Sequence, residues 1–241
     1  MRNWLASLFE KKSRLTDQQR ARLNAWKAIT PSALSAPINE MRCVIVDVET
    51  SGLNLMKDRL ISIGAIAMVN GKIAMGDSFY VVLQQPVVSN KENILLHGIG
   101  GSAQKEGVPA IDALLSFLEY LGKDPLVAFH VVFDQTMIRR AISQYLHFSF
   151  KRSWLDLAYI MPALYTELAN RLRTLDDWNG HFDIGNDARH NALSDAIVTA
   201  QLLQVAIIQA SKKKKISKFS EYVDLEKSQR WLNSQSSYKV H

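Results

Sequence analysis

Three short segments of the chain place acidic and histidine side chains where buried secondary structure is expected to end. The first is VIVDVETSGL, in which Asp47 and Glu49 stand two residues apart. The second, VVFDQ, carries Asp134, and the third, RHNALSDA, carries His190 and Asp195. Carboxylates are the ligands that hard divalent cations prefer, and a neutral imidazole near pH 7 accepts a proton from water. These residue types can therefore support metal-assisted hydrolysis.

Each segment taken alone also has an ordinary structural explanation. An Asp-x-Glu pair can be a solvated strand end, and Asp134 suits a helix start, where an acid is favourable. A lone histidine is usually a surface residue. Asp195 differs, because its neighbours Leu193 and Ile197 are apolar and a buried carboxylate needs a partner. The three segments together, in this order, are more specific than any one of them.

The elements that carry these residues are predicted to alternate between strand and helix. RCVIVDVE predicts a buried strand, on which residues two apart share a face. RLISIGAIAMVNGKIAMGDSFYVVL predicts two strands around a tight turn at Asn70-Gly71, and IDALLSFLEYLG predicts a helix that ends at Gly122. PLVAF and SWLDL predict short strands, FDQTMIRRAISQYL a helix, the stretch to about Trp178 one or two helices, and residues 191–210 a final apolar helix. This order favours a mixed sheet covered by helices on both faces.

The charge of the chain is distributed unevenly. Residues 1–27 and 211–241 each carry a net charge of +5, whereas residues 28–210 carry 14 Lys/Arg and 18 Asp/Glu, a net charge of −4. An acidic middle suits a core that gathers carboxylates around divalent cations, which then supply positive charge. We therefore expect a helical extension and linker over residues 1–40, a catalytic domain over 41–210 and a basic tail over 211–241.

The composition is that of an ordinary globular protein and excludes some kinds of site. The single cysteine, Cys43, excludes an intrachain disulfide and a cysteine-rich zinc site, and its apolar surroundings predict a core residue. The start of the chain lacks the features of a secretory signal. The longest uncharged stretch, 196–211, is too short to span a bilayer and predicts a buried helix. We expect no integral membrane association and a cytoplasmic location.

The three segments together resemble the motifs of the DEDD superfamily of 3′→5′ exonucleases, in its DnaQ-like branch with a histidine in the third motif. The resemblance covers roughly residues 42–209, and LLHGI at Leu95 to Ile99 is similar to the family's His-Gly-Ile segment. It implies an α/β, ribonuclease H-like fold with a mixed five-stranded sheet flanked by helices on both faces. It also implies removal of nucleotides, one at a time, from a single-stranded 3′ end, as in proofreading.

The resemblance implies a role for particular residues. Asp47, Glu49, Asp134 and Asp195 would hold two divalent metal ions, Mg²⁺ or Mn²⁺, and His190 would be the general base toward the attacking water. The residues implied to contact the terminal nucleotide are Thr50, Ser51, Leu53, His97, Ile99, His130 and Phe133.

Three of these nucleotide contacts have an open interpretation. Ordinary packing explains Leu53 and Ile99 equally well. His130 departs from the family, which commonly has Asn at this position, four residues before the second-motif aspartate. Histidine also donates and accepts hydrogen bonds, so we expect activity, with its rate and substrate preference left open.

The function expected from the sequence is a metal-dependent exonuclease that acts on single-stranded 3′ ends of DNA and releases nucleoside monophosphates. The alternatives are an RNA 3′-trimming enzyme and a catalytically weak nucleic-acid-binding module, because the 2′-OH contact that separates DNA from RNA is not readable from sequence. The run Lys212–Lys215 is either a solvated helix end or a phosphate-tracking tail. The terminal extensions, with Trp4 near the start of the chain, either pack on the domain or bind a protein partner such as a polymerase. For the N-terminal segment, binding to a membrane surface is a further alternative.

Overall fold

A computed structural model of the chain describes residues 15–185 and 189–237. The predictions for Trp4 and the rest of residues 1–14 lie outside this range. The strands are β1 (Arg42–Thr50), β2 (Leu60–Val69), β3 (Lys72–Val82), β4 (Leu126–Ala128) and β5 (Trp154–Asp156). The helices are α1 (Asp17–Ala28), α2 (Lys91–His97), α3 (Gly101–Lys105), α4 (Ala110–Leu121), α5 (Val131–Leu146), α6 (Leu157–Leu164), α7 (Leu175–His181), α8 (Ala192–Lys214) and α9 (Phe219–Ser237).

The five strands form one mixed sheet in the order β3-β2-β1-β4-β5. β1, β2 and β3 pair antiparallel, with a turn at Asn70-Gly71 between β2 and β3. β4 and β5 extend the sheet in parallel on the other side of β1, and helices return the chain between them. The predicted α/β architecture, a five-stranded mixed sheet with helices on both faces, is confirmed.

Central strand β1 is apolar on both faces because helices cover it from both sides. Val44 and Val46 belong to the core formed with α4 and α5, whereas Ile45 faces the core formed with α6 and α8. Since side chains alternate along a strand, Asp47 and Glu49 continue the row of Ile45. Both acids therefore emerge on the side of the sheet that α8 covers.

Gly64 on β2 allows α8 to approach the sheet closely. It is the register partner of Asp47, and a Cβ atom at this position would lie 2.1 Å from the backbone nitrogen of Leu193. Only a residue without a side chain leaves room for the first turn of α8 here. The close approach brings Asp195, which lies in that turn, next to the end of β1.

Helix α8 is the predicted buried helix, and its burial is confirmed. Ala196, Ala200 and Leu203 are fully buried against the sheet and α6. By length and composition alone the helix is apolar enough to cross a membrane, but it serves as a core helix of the domain. The prediction that it would be the last helix is wrong, because α9 follows it.

Helix α9 also corrects the prediction of a basic tail over residues 211–241. Residues 211–214 continue α8, and α9 packs against α6 with Phe219 and Tyr222 fully buried. These two apolar residues are three apart and so share one helix face. The net positive charge of the segment concealed this apolar face, and the described part of the segment belongs to the domain.

The described part of the N-terminal extension packs on the domain as well. Leu23 and Trp26 of α1 are buried beside α4, and the Trp26 indole nitrogen donates a hydrogen bond to the carbonyl of Gly122 at 2.7 Å. The predicted linker is docked rather than free, because Ile38 is buried and its N–H donates to the carbonyl of Ser217 at 2.7 Å. The two ends of the described chain thus pack on opposite faces of the sheet, α1 on the core formed with α4 and α5 and α9 on the core formed with α6 and α8.

Candidate active site

Three of the predicted metal ligands converge at the end of β1. Asp47, Glu49 and Asp195 each present a ligand atom, and these atoms lie within 4.8 Å of one another. β1 supplies the first two acids, and the first turn of α8 supplies the third. The backbone N–H of His190 donates to Asp195 Oδ2 at 3.0 Å, which ties the third motif into one local unit.

The fourth acid, Asp134, lies behind this cluster in the first turn of α5. Its carboxylate is buried and accepts a hydrogen bond from the backbone of Val48, between the two acids of β1. Its negative charge raises the pKa of Asp47 and of Glu49. The acids of all three motifs therefore meet at one edge of the sheet.

The electrostatics of the cluster call for a cation. Burial, followed by the charges of Asp195 and Asp134, raises the pKa of Glu49 to about 8. Burial also raises the pKa of Asp134 to about 8, and burial and the neighbouring acids raise that of Asp47 well above its usual value. Carboxylates gathered in this way repel one another unless a cation compensates them. An all-oxygen ligand set suits Mg²⁺ or Mn²⁺.

Arg189 partly compensates the acids, and the sequence reasoning missed it. Its guanidinium lies 3.7 Å from Asp195 and pairs with Asp176 beyond it. It also lowers the pKa of Asp47 and Glu49. One guanidinium does not balance the carboxylates named above, so the cluster retains negative charge for a divalent cation. Its place beside the motif histidine was the available signal.

An open cleft of about 720 Å³ lies in front of the acids. Leu53 stands at its rim with 85% of its surface exposed, which excludes the packing explanation for this residue. Such an apolar rim beside carboxylates can hold a nucleobase while the phosphate faces the acids. The other predicted residues that line the cleft are Thr50, His97, His130, Phe133 and His190.

Two residues predicted to contact the nucleotide are placed differently. The Ser51 hydroxyl is used inside the loop after β1, where it bonds Asp58 Oδ1 and accepts from the Arg59 N–H, both at 2.9 Å. Ile99 is buried and borders a neighbouring cleft. Its N–H donates to Nδ1 of His97 at 3.0 Å, so His97 shapes the local turn as well as lining the metal cleft.

His130 adopts a left-handed backbone conformation at the start of α5, with φ of 65°. Asparagine and histidine are both enriched at such positions among non-glycine residues. This shared tolerance explains how histidine can replace the asparagine that is common in the resembled family. The His130 N–H donates to Asp156 Oδ1 at 2.9 Å, which holds the turn.

Asp156 is a second residue that the sequence reasoning missed. It is 1% exposed and accepts hydrogen bonds from the N–H groups of His130 and Val131, at 2.9 and 3.1 Å. Arg230 of α9 donates to it at 2.8 Å and to Glu226 at 2.7 Å. The start of the helix that carries the second motif is thus tied to α9. An aspartate at a strand-to-helix junction was the available signal.

Carboxylates at the edge of a mixed sheet, facing an open cleft, define a candidate metal-dependent hydrolytic site. The family model described as RNase_T, an exonuclease, matches residues 44–203, which include all three motifs. The chain therefore belongs to the RNase_T exonuclease family, and the resemblance to DnaQ-like 3′→5′ exonucleases is confirmed. Members of this family depend on divalent metal ions.

The sequence is similar to segments of bacterial DNA polymerases. It is 30% identical to the PolC-type DNA polymerase III of Bacillus subtilis over 178 residues, which are 73% of this chain and 12% of the polymerase. It is 28% identical to that of Thermotoga maritima, over 74% of this chain and 13% of the polymerase. The chain thus spans about an eighth of the length of these relatives.

The fold is similar to that of solved nucleases. Escherichia coli exonuclease I in complex with a dT13 oligonucleotide aligns with a TM-score of 0.61 and 16% identity, over 72% of this chain and 42% of that one. Cell-death related nuclease 4 aligns with a TM-score of 0.56 and 17% identity, over 70% and 64%. These likenesses establish the ribonuclease H-like exonuclease fold.

Proposed function

We propose that the chain hydrolyses phosphodiester bonds one at a time from the 3′ end of single-stranded DNA and releases nucleoside monophosphates. The observation that carries this proposal is the convergence of Asp47, Glu49 and Asp195 within 4.8 Å, with Asp134 directly behind them. Membership of the exonuclease family supports the reaction. The similarity to DNA polymerases and to an exonuclease solved with an oligonucleotide supports DNA as the substrate.

The acids would hold two divalent ions, Mg²⁺ or Mn²⁺. When bound, such ions supply positive charge to the attacking and the leaving oxygens of a phosphodiester. Asp47, Glu49 and Asp195 form the ligand set for one ion. Asp134 is buried beside them and would complete the second site together with Asp47.

His190 is the proposed general base. Its ring borders the cleft that the acids face, and its backbone is fixed by the hydrogen bond to Asp195. A neutral imidazole at this place can take a proton from the attacking water. We expect His190→Gln to lower kcat more than it raises KM, and His181→Gln, an exposed histidine on α7, to leave both unchanged. Equal effects on kcat and KM would indicate a structural histidine.

The terminal base would sit between the exposed Leu53 and the rings of Phe133 and His130. Aromatic and apolar surfaces stack on any base, because every base has a π-face. The site is therefore suited to sequence-independent removal of the last nucleotide.

A DNA polymerase as partner and a cytoplasmic location are further proposals, supported by the similarity to segments of DNA polymerases. Faster removal of a mismatched primer end in the presence of a purified polymerase would support the partner.

The proposal is tested with single strands of DNA and RNA that are labelled at either the 5′ or the 3′ end. With Mg²⁺ or Mn²⁺, a 5′-labelled DNA strand should shorten by single nucleotides, and a 3′-labelled strand should release labelled mononucleotide at once. EDTA should stop both reactions. Asp195→Asn should lower the rate on the order of a thousandfold or more, as loss of a central catalytic group does. The matched variant Asp224→Asn, which changes an exposed acid on α9, should keep the wild-type rate.

The outcomes separate the alternatives. Faster shortening of the RNA strand than of the DNA strand would favour the RNA-trimming alternative. Metal-independent binding of both strands without cleavage would favour a binding module and contradict the proposal.

A further inference from the structure

We propose that a basic groove along α5 binds the nucleotides upstream of the 3′ end, so that the single strand leaves the metal cleft along this helix. The proposal rests on the proposed exonuclease function and gives the path of its substrate. The α5 groove has a volume of about 670 Å³. The residues that define it are Met56, Thr136, Arg139, Ser143, Phe148 and Ser149.

The α5 groove and the metal cleft lie along the same helix. α5 carries Asp134 in its first turn, buried at the acids. Thr136, Arg139 and Ser143 are spaced by three and four residues, which places them together on the outer face of the same helix. The two sites also share the loop after β1. Leu53 in this loop lines the cleft in front of the acids, and Met56 lines the groove. A strand bound at the acids can therefore continue into the groove over one short loop.

Arg140 fixes this shared loop against α5. Its guanidinium donates to the carbonyl of Met56 at 2.9 Å and to that of Asp58 at 3.0 Å. It also donates to the carbonyl of Leu55. Because one guanidinium binds three carbonyl oxygens of the loop, the loop is held in a fixed position. This loop forms the wall between the cleft and the groove.

The surroundings of the groove are basic although the domain is acidic. Residues 135–155 contain four Lys/Arg and no Asp/Glu, whereas residues 28–210 as a whole carry a net charge of −4. Arg139 is exposed and forms no ion pair with any residue in the described ranges. An uncompensated cation at the middle of a groove attracts an anion.

More cations gather at the far end of α5. The ammonium of Lys27 lies 5.2 Å from the centroid of the Phe148 ring. Burial and the charges of Arg152 and Lys27 lower the pKa of Lys123, which shows that these cations lie close enough to repel one another. Asp124, which lies near Arg152, is already paired with Arg42 at 2.7 Å. Gathering like charges is costly unless a polyanion binds them.

The groove offers what a single nucleic-acid strand requires. Guanidinium and hydroxyl groups bind phosphate oxygens, and the half-buried ring of Phe148, which packs beside Trp26 and Lys27, adds an aromatic contact for a base. An acidic peptide would match the charge but has no planar bases for the ring. The observations therefore favour single-stranded nucleic acid over an acidic protein.

The length of the helix sets the length of strand that the surface can bind. From Asp134 to His147 the rise is about 20 Å at 1.5 Å per residue. A strand stacked at about 3.4 Å per nucleotide covers this distance with about six nucleotides. We expect the affinity for oligonucleotides to increase up to about this length and then to level off.

The test measures binding of 5′-fluorescein oligo(dT) of increasing length to the full chain by fluorescence anisotropy, in EDTA so that no hydrolysis occurs. The groove variant carries Lys27→Gln and Arg139→Gln, two exposed positions. The matched variant removes the same charge elsewhere on the surface. It carries Lys72→Gln and Lys105→Gln, also exposed.

The groove variant should bind the longer oligonucleotides on the order of tenfold more weakly, and its plot of log affinity against log salt should be shallower by about 1.4, at about 0.7 per lost phosphate contact. It should bind the shortest oligonucleotides and cleave them with Mg²⁺ as the wild type does. The matched variant should bind all lengths normally.

The opposite results overturn the proposal. Equal losses in the two variants, or an unchanged length dependence in the groove variant, would show that the strand does not follow α5. Displacement of the oligonucleotide by an acidic peptide at equal concentration would show that the groove accepts any anion. The exonuclease proposal has its own test. It fails if the wild type with Mg²⁺ cleaves no oligonucleotide of any length.

Discussion

His130 shows how a single residue can depart from a family pattern and keep the geometry of the site. Its left-handed backbone turns the chain from β4 into α5, and its N–H bonds to Asp156. The residue at this position must therefore be able to adopt a left-handed backbone conformation. Asparagine and histidine both meet it, whereas a β-branched residue does not.

We predict that His130→Asn keeps the stability of the wild type and that His130→Val lowers the free energy of unfolding by about 1–2 kcal/mol, the cost of the left-handed conformation. Urea unfolding measures this difference, and exonuclease assays measure the effect of the ring on KM. Similar stability of the two variants would show that the turn does not select the residue.

The residues that the sequence predicted are those whose chemistry is visible in a local motif. Asp47, Glu49 and Asp195 are such residues, and they meet in the structure. Arg189 was not predicted, although it stands beside the motif histidine, and Asp156 was not predicted because its role depends on a contact far along the chain. No spacing within SWLDL reveals that its aspartate caps α5 and pairs with a residue 74 positions later.

At the scale of the elements, the contact between α8 and β2 decides whether the third motif reaches the first. Gly64 permits this contact, because any Cβ there would overlap the backbone of Ala192 and Leu193. The strand pattern of SIGAIA was predictable from sequence. The contact of this strand with α8 was not predictable, because the two segments are more than a hundred residues apart in the chain.

We predict that Gly64→Ala displaces the first turn of α8, destabilises the fold by about 1–3 kcal/mol, as overpacking of a core does, and weakens metal binding. Isothermal titration with Mn²⁺ and urea unfolding measure the two effects. Gly76→Ala is the matched control, because it lies on β3 with no atom within 4 Å of the added Cβ. Unchanged Mn²⁺ affinity in Gly64→Ala would contradict the positioning role.

A second contact between elements joins α9 to the second motif. Arg230 of α9 bonds to buried Asp156, which in turn holds the N–H groups at the start of α5. α9 lies beyond the residues that the family model matches. It was not predicted as a helix, because most of its residues are polar and the buried ones are few.

We predict that Arg230→Met lowers the free energy of unfolding by about 1–3 kcal/mol, because Asp156 keeps its burial and loses a charged partner. It should also reduce kcat, since the α5 turn beside Asp134 loosens. Lys227→Met, on the exposed side of α9, is the control. A loss of stability in Arg230→Met without any change in kcat or Mn²⁺ affinity would limit α9 to a structural role.

At the scale of the whole molecule, the domain holds at its centre several carboxylates that repel one another. Burial and the charges of Asp195 and Asp134 raise the pKa of Glu49 to about 8 from an ordinary value of 4.5, and burial and the charge of Asp156 raise that of Asp134 to about 8 from 3.8. Between these values the folded chain binds more protons than the unfolded chain. Stability of the metal-free protein must therefore fall as the pH rises through this window.

We predict that in EDTA the Tm is higher at pH 5.5 than at pH 8, and that saturating Mg²⁺ raises the Tm much more at pH 8. The reason is that the cation replaces the protons and binds only the ionised acids. Asp134→Asn removes one of the titrating groups and should flatten the pH dependence in EDTA, whereas Asp224→Asn should leave it unchanged. Scanning calorimetry at the two pH values measures the Tm of the wild type in EDTA and in Mg²⁺, and the Tm of the two variants in EDTA. A metal-free Tm that rises from pH 5.5 to pH 8 would mean that the acids are not held together in the folded chain, and the metal centre would lose its physical basis.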